Sequence, residues 1–351
     1  MDKPVYKNEC ESRCPHADDM HEREFADGGY SKGWAMHAKP TPKYFFDCHI
    51  HYNGPKNKPM RDCITAEAEG AALLNVKRAG IMPMMYGKNK PVETEEATFS
   101  FPRYTAGELK EALTGFSDGK KFFWGPYIEH FSPEPELIHD AADLGASFVK
   151  LHNAPLIEQN IPYDIWLSDK WRETFKAISD RGLPVLWHVA QRLPSIDYLG
   201  GGRNTYWDTG WEHGTKFTNE DLLQVFLACC RQFPKINFIG AHQLHIGWDR
   251  LCDLFTGYPN LYVDTTVGCS LKLHDDFYPH DKEYLREVFL RRSERIIYGT
   301  DSFWGTAGTS FRERGTLEHM RFITALDLTG GALNDICHGN IERLYGIAPL
   351  K

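Results

Sequence analysis

From Tyr44 onward, short apolar runs alternate with longer amphipathic stretches, whereas residues 1–43 are polar and charged with no sustained period of 2 or 3.6. Apolar runs separated by stretches of helical spacing mark βα units on a parallel sheet. The runs predict eight strands: YFFDCHIH (44–51), AGIMPMMY (79–86), FFWGPYIE (122–129), SFVKLH (147–152), PVLWHV (184–189), INFIGAH (236–242), LYVDTT (261–266) and RIIYGTD (295–301). Helical spacing fills the intervals, beginning near Ala66 and recurring over 135–144, 171–181, 219–232 and 317–328. Eight strands is the number that closes a barrel. The expected fold is therefore α/β, a (β/α)8 TIM-like barrel over 44–351 with an N-terminal extension over 1–43; a doubly wound open sheet is the other fold the alternation permits. The longest connections, 87–121, 190–217, 267–284 and 302–316, all leave the C-terminal ends of strands, where barrel enzymes build their sites.

Composition narrows the partners. Of 351 residues, 42% are hydrophobic, enough for one large core, and a net charge of -8 argues against nucleic acid or an anionic membrane, which select clustered Lys and Arg. The first residues contain no apolar targeting region, and no run approaches the roughly 18 apolar residues of a spanning helix, so a soluble, cytoplasmic protein is expected. The nine cysteines are odd in number, and Cys48, Cys229, Cys230, Cys252 and Cys337 lie in apolar segments, which argues against a disulfide framework. Cys10 and Cys14, followed by His16 and His21, match structural zinc patterns only loosely, because a second Cys pair is missing.

The chemistry gathers at strand ends. His49 and His51 lie two apart on the first strand, so both imidazoles project to one side, a geometry suited to one metal. His188 ends the fifth strand, His242 the sixth and Asp301 the eighth, each after an apolar run. One of these alone is readily a satisfied buried polar group. Five at matching ends of barrel strands converge on a single axis and point to a shared site.

With these residues in place, the sequence resembles the amidohydrolase-related proteins, amidohydrolase family 2 of the metal-dependent amidohydrolase superfamily, over about residues 44–347. The matching segments are DCHIH (47–51), VKLH (149–152), LPVLWH (183–188), FIGAH (238–242), YPNLYVDTT (258–266), IIYGTD (296–301) and GNIERLYGI (339–347). The resemblance implies that His49, His51, His188 and Asp301 hold one divalent metal, usually zinc, with manganese the alternative. It places His242 beside the metal as a catalytic or substrate-polarising group. A bound zinc ion lowers the pKa of its water towards about 7, and Asp301 would shuttle the proton.

Five further residues extend this picture. Lys150 stands on strand four, where some superfamily members carry a carboxylated lysine that bridges two metals; its plain reading is a lysine paired with a carboxylate near the mouth. His245 is a rival to His242 through a slip of register. The loop after strand five combines glycines with Arg203, Tyr206 and tryptophans, a composition suited to a lid that clamps an anion or a ring, so Arg203 and Tyr206, with Trp304 after strand eight, are the expected substrate contacts.

The resulting expectation is a metal-dependent hydrolase of an amide, ester or lactone bond in a small, carboxylated molecule. Non-oxidative decarboxylation of a cyclic or unsaturated carboxylic acid is the alternative chemistry for the same cage. A non-catalytic metal-bearing barrel is disfavoured by retention of all five polar positions. Partners other than a small molecule and further copies of the chain in a homo-oligomer are not expected.

Overall fold

In the computed structural model, the structure describes residues 40–86, 102–116, 121–154, 156, 161–190, 217–246, 248–266, 279–305 and 313–351. Cys10, Cys14, Arg203 and Tyr206 lie outside these residues. The sheet is built from β1 (Phe45–Tyr52), β2 (Val76–Met82), β3 (Met84–Met85), β4 (Arg103–Tyr104), β5 (Phe122–Trp124), β6 (Tyr127–Ile128), β7 (Val149–His152), β8 (Val185–His188), β9 (Phe238–Gly240), β10 (Leu261–Asp264), β11 (Ile296–Ile297) and β12 (Ser302–Trp304). Every strand pairing among the described residues is parallel.

Three of the expected strands are split. Pro83 separates β2 from β3, Gly125 and Pro126 separate β5 from β6, and residues 298–301 separate β11 from β12. A proline donates no ladder hydrogen bond, which explains the first two interruptions. Joining each split pair, the two hydrogen-bonded sets, β12-β1-β2-β5 and β11-β10-β9-β8-β7-β6-β3-β4, close into one ring of eight, with β4 as a ninth strand added beside β3. The open doubly wound sheet is thereby excluded, since its edge strands would not meet. Helices follow the strands, among them Met60–Leu73, Pro135–Asp143, Asp169–Asp180, Asn219–Gln232 and Glu313–Ala325. Asn219–Gln232 begins on a capping box in which Thr218 and Asp221 satisfy each other's backbone N–H groups.

Two apolar layers result. The outer one lies between strands and helices and includes Phe45, Ile50, Tyr52, Trp171, Trp187 and Phe226. The inner one fills the lumen with side chains from around the ring, including Phe46, Cys48, Met82, Tyr127, Leu186, Ile239 and Ile297. The C-terminal helix Asn340–Tyr345 plugs the bottom of this lumen: the Tyr345 ring stacks on Phe148 at 5.4 Å and meets Phe46 and Phe123. The GNIERLYGI segment thus acts in packing, since Ile341 and Tyr345 enter the inner layer and Asn340 donates to the Ile296 and Ser293 carbonyls.

Strand β1 departs from strict alternation. Phe46 and Cys48 face the lumen, Phe45, Ile50 and Tyr52 face the helices, and the register against β2 shifts between Asp47 and Ile50. This bulge re-phases the strand, so Cys48 and His49 both serve the inner side. No helix among the described residues is long and apolar enough to cross a membrane.

Candidate metal centre

The upper rim of the barrel is where the lumen turns from apolar to polar. His49, His51, Lys150 and His152 are buried on β1 and β7, and His188 is half-buried at the end of β8. Asp301 does not end a strand as expected. It sits in the break between β11 and β12 with φ 58°, in the left-handed region that Asp tolerates better than most side chains. Before it, Gly299 passes so close to β1 that an added Cβ would lie 3.1 Å from the His49 Cβ, so glycine lets the break pass there without displacing β1. Thr300 anchors the segment by donating from its backbone N–H to Asp47 at 3.0 Å.

His49 Nε2 and His51 Nε2 lie 3.3 and 3.1 Å from Asp301 Oδ1. Nitrogen and oxygen ligands at about 2.0–2.1 Å from a zinc ion, placed on tetrahedral corners, are themselves about 3.3 Å apart. Both histidine nitrogens therefore stand from Asp301 at the spacing of ligands around one ion, and all three donors lie within 4.8 Å of one another. His188 falls in an adjoining group with His242 and His245, whose ligand atoms also lie within 4.8 Å of one another. His242 links the groups: its ring is 5.5 Å from that of His49, and its Nε2 is 3.1 Å from His188 Nδ1. His188 Nε2 is buried with no hydrogen-bond partner among the described residues, as expected of a nitrogen reserved for a ligand. The donor set fits a divalent metal.

Strand six ends earlier than the sequence suggests, at Gly240, and His242, Gln243, Leu244 and His245 follow in four consecutive left-handed conformations, φ 56°, 52°, 58° and 53°. Each such residue costs about 1–2 kcal/mol for an L side chain, so the turn persists only because its surroundings hold it. The His242 N–H donates to Asp264 Oδ1 at 2.7 Å, and the Gln243 amide donates to the Asp264 and Thr266 carbonyls. The turn stacks His245 on His242 at 5.0 Å, so both rivals for the strand-six position stand at the site.

Burial sets the protonation states. It pushes His49, His51 and His188 below the usual histidine range and His242 down to about 4, so these imidazoles are neutral at pH 7. Burial works to raise Asp301, but the neighbouring His49 and the His51 hydrogen bond hold its carboxyl well below the usual range. Burial likewise opposes ionisation of Asp264, yet His49 and Thr266 bring it down to about 2. Lys150, fully buried, is lowered to about 8, and its Nζ lies 3.2 Å from His49 Nε2.

Asp264, Thr266 and His152 carry no assignment from sequence. The signal was present in YVDTT, whose polar residues end an apolar strand as at the other sites. Trp304 is buried to 1% exposure in the outer layer between strands and helices.

The fold is shared with solved enzymes. Dihydroorotase from Campylobacter jejuni superposes with a TM-score of 0.57 at 17% identity, covering 89% of this chain and 86% of that one. Dihydroorotase from Saccharomyces cerevisiae, in complex with 5-fluoroorotic acid, gives 0.53 at 16% identity over 89% and 86%. The 2,6-dihydroxybenzoate decarboxylase from Rhizobium gives 0.50 at 12% identity over 87% and 99%. No curated protein matches the sequence. The amidohydrolase family model matches residues 46–347, a span that contains every side chain of this centre and all but the first residue of the barrel strands, and the chain belongs to that family.

Proposed function

We propose that residues 44–351 form a metal-dependent hydrolase that cleaves an amide, ester or lactone bond in a small, carboxylated molecule. The observation that carries this reading is the convergence of His49 Nε2, His51 Nε2 and Asp301 Oδ1 at the spacing of ligands around one ion. His188, with its unpartnered Nε2, is the proposed fourth ligand. A bound divalent ion, zinc before manganese, would supply Lewis acidity and a water acidic enough to lose its proton near neutral pH.

The chain's own groups supply the rest. His49 and the His51 hydrogen bond keep Asp301 ionised, and its 22% exposed side chain is reachable at the mouth, as a proton acceptor must be. His242 is neutral at pH 7 and lies in the His188–His245 group within reach of His49, where it is proposed to polarise the substrate. Lys150 adds positive charge beneath the mouth below pH 8, which favours an anionic substrate group. Arg203 and Tyr206 are the proposed contacts to that group.

Two measurements test the reading. Elemental analysis of protein purified without added metal should find about one divalent ion per chain. A panel of lactones, esters, amides and aromatic carboxylates should then show hydrolysis without CO₂. Release of CO₂ from a carboxylate would assign the centre to decarboxylation instead, and a metal-free but active enzyme would remove the proposal altogether.

A further inference from the structure

One carboxylate touches both histidine groups without belonging to either. Asp264 ends β10 and is fully buried. Its Oδ2 is 2.6 Å from His49 Nδ1, and its Oδ1 accepts from the His242 N–H at 2.7 Å and the Thr266 hydroxyl at 2.7 Å. We propose that Asp264 is the positioning residue of the centre, fixing the tautomers of His49, His242 and His188 so that His49 and His188 present Nε2 lone pairs to a cation.

The chain of donors follows atom by atom. An ionised carboxylate only accepts, so His49 must carry its proton on Nδ1, leaving the Nε2 lone pair free. Lys150 agrees independently, because an ammonium only donates and it lies against that same Nε2 at 3.2 Å. On the other oxygen, the Thr266 hydroxyl spends its single proton on Asp264, so it must accept from His242 Nδ1 at 2.7 Å. His242 therefore carries its proton on Nδ1 and offers Nε2 as an acceptor. His188 Nδ1, 3.1 Å away, must donate to it, which leaves His188 with its lone pair on the buried, unpartnered Nε2. A single acceptor on strand seven thus reaches ligands on strands one and five, directly and through Thr266. Carboxylate support of a ligating histidine is a general device for setting its tautomer and basicity; here one carboxylate serves two.

This inference rests on the metal-centre reading, and its test is chosen to fail separately. In metal-free protein with 15N-labelled histidine, assigned from His49→Gln and His242→Gln spectra, His49, His242 and His188 should each show a protonated Nδ1 and a lone-pair Nε2. An Nε2-protonated His49 in the wild type overturns the proposal, whether or not the protein binds metal.

The isosteric variant Asp264→Asn sharpens the test. Two backbone N–H groups and a hydroxyl converge on Oδ1, at 2.7, 3.2 and 2.7 Å, so the amide oxygen must stay there and the NH₂ must face His49. His49 then accepts at Nδ1 and carries its proton on Nε2, towards the ion. Zn²⁺ affinity, measured by chelator competition, should fall by about 10–100-fold, and the His49 15N pattern should invert. Asp264→Ala imposes no tautomer and should weaken Zn²⁺ less than Asp264→Asn, although it leaves more buried donors unsatisfied. A purely structural Asp264 requires the reverse order, with Ala worse in both stability and metal binding, and that order would overturn the proposal. Should neither variant fold, the wild-type spectrum decides alone.

Discussion

The Lys150 ammonium lies 3.2 Å from His49 Nε2, the nitrogen that faces Asp301. A cation there competes with a metal twice, by repulsion and by donating into the lone pair. With burial lowering its pKa to about 8, Lys150 is charged at pH 7 and largely neutral at pH 9. Lys150→Met should therefore tighten binding of the first Zn²⁺ at pH 7 by about tenfold, the equivalent of roughly 1.4 kcal/mol, and by much less at pH 9. Loss of metal from the variant would instead make Lys150 a ligand in its own right.

Asp301→Asn should leave the barrel folded and remove turnover. Asn accepts the left-handed backbone at φ 58° as readily as Asp does, so the break in strand eight is preserved. An amide neither accepts a proton at neutral pH nor balances a metal charge. A kcat reduction of at least about 10²–10⁴-fold is expected from the lost proton acceptor alone, with a thermal midpoint close to that of the parent. Full activity in this variant would remove Asp301 from the mechanism.

The eight apolar runs were legible because each buries two faces, and each reappears as a strand or a split strand. His49, His51 and Asp301 were legible for a related reason: one polar residue at the end of an apolar run is readily a satisfied buried group, but several at matching strand ends point to a shared site. Other features leave no local trace. The β1 bulge depends on the register against β2, the left-handed turn at His242–His245 on hydrogen bonds from residues more than twenty positions away, and the break at Asp301 on the close approach of Gly299 to His49. Asp264 escaped because its role is to orient a histidine 215 residues away, and no spacing within one strand encodes that.

His319 should make the fold acid-sensitive. It is buried to 2%, its Nε2 is 2.7 Å from the Thr265 hydroxyl oxygen, and burial lowers it from 6.5 to about 4. Above pH 6.5 both the folded and unfolded chains hold it neutral. Between 6.5 and about 4 the unfolded chain binds a proton that the folded one refuses, so stability falls as pH falls, by up to about 3 kcal/mol for this group. Asp47, which burial raises from 3.8 to about 7, works in the opposite direction over the whole of this window, so the comparison must isolate one residue. In urea unfolding, the stability gap between the parent and His319→Gln should be constant above pH 6.5 and shift in the variant's favour by that amount towards pH 4. A gap independent of pH would show that His319 is not held neutral.

At the opposite end of the barrel, Glu342 should matter for stability and not for metal. It is 1% exposed and accepts from Tyr44, Arg78 and His338, with Tyr44 stacked on His338 at 4.1 Å and receiving the Leu350 N–H at 2.9 Å. The cluster thereby ties the start of β1 and strand β2 to the C-terminal helix that plugs the lumen. Glu342→Ala leaves the Arg78 guanidinium buried without this carboxylate, a loss of about 3–5 kcal/mol for a broken buried pair. Replacing both charges, Glu342→Leu with Arg78→Met, removes the buried guanidinium as well and should recover most of that loss, because a well-packed apolar pair often matches a buried ion pair in stability. Urea midpoints of the single and double variants check this directly. Since the cluster lies at the strand N-termini, Zn²⁺ affinity in any variant that stays folded should equal that of the parent, and a parallel loss of metal would mean that the plug transmits its packing to the rim.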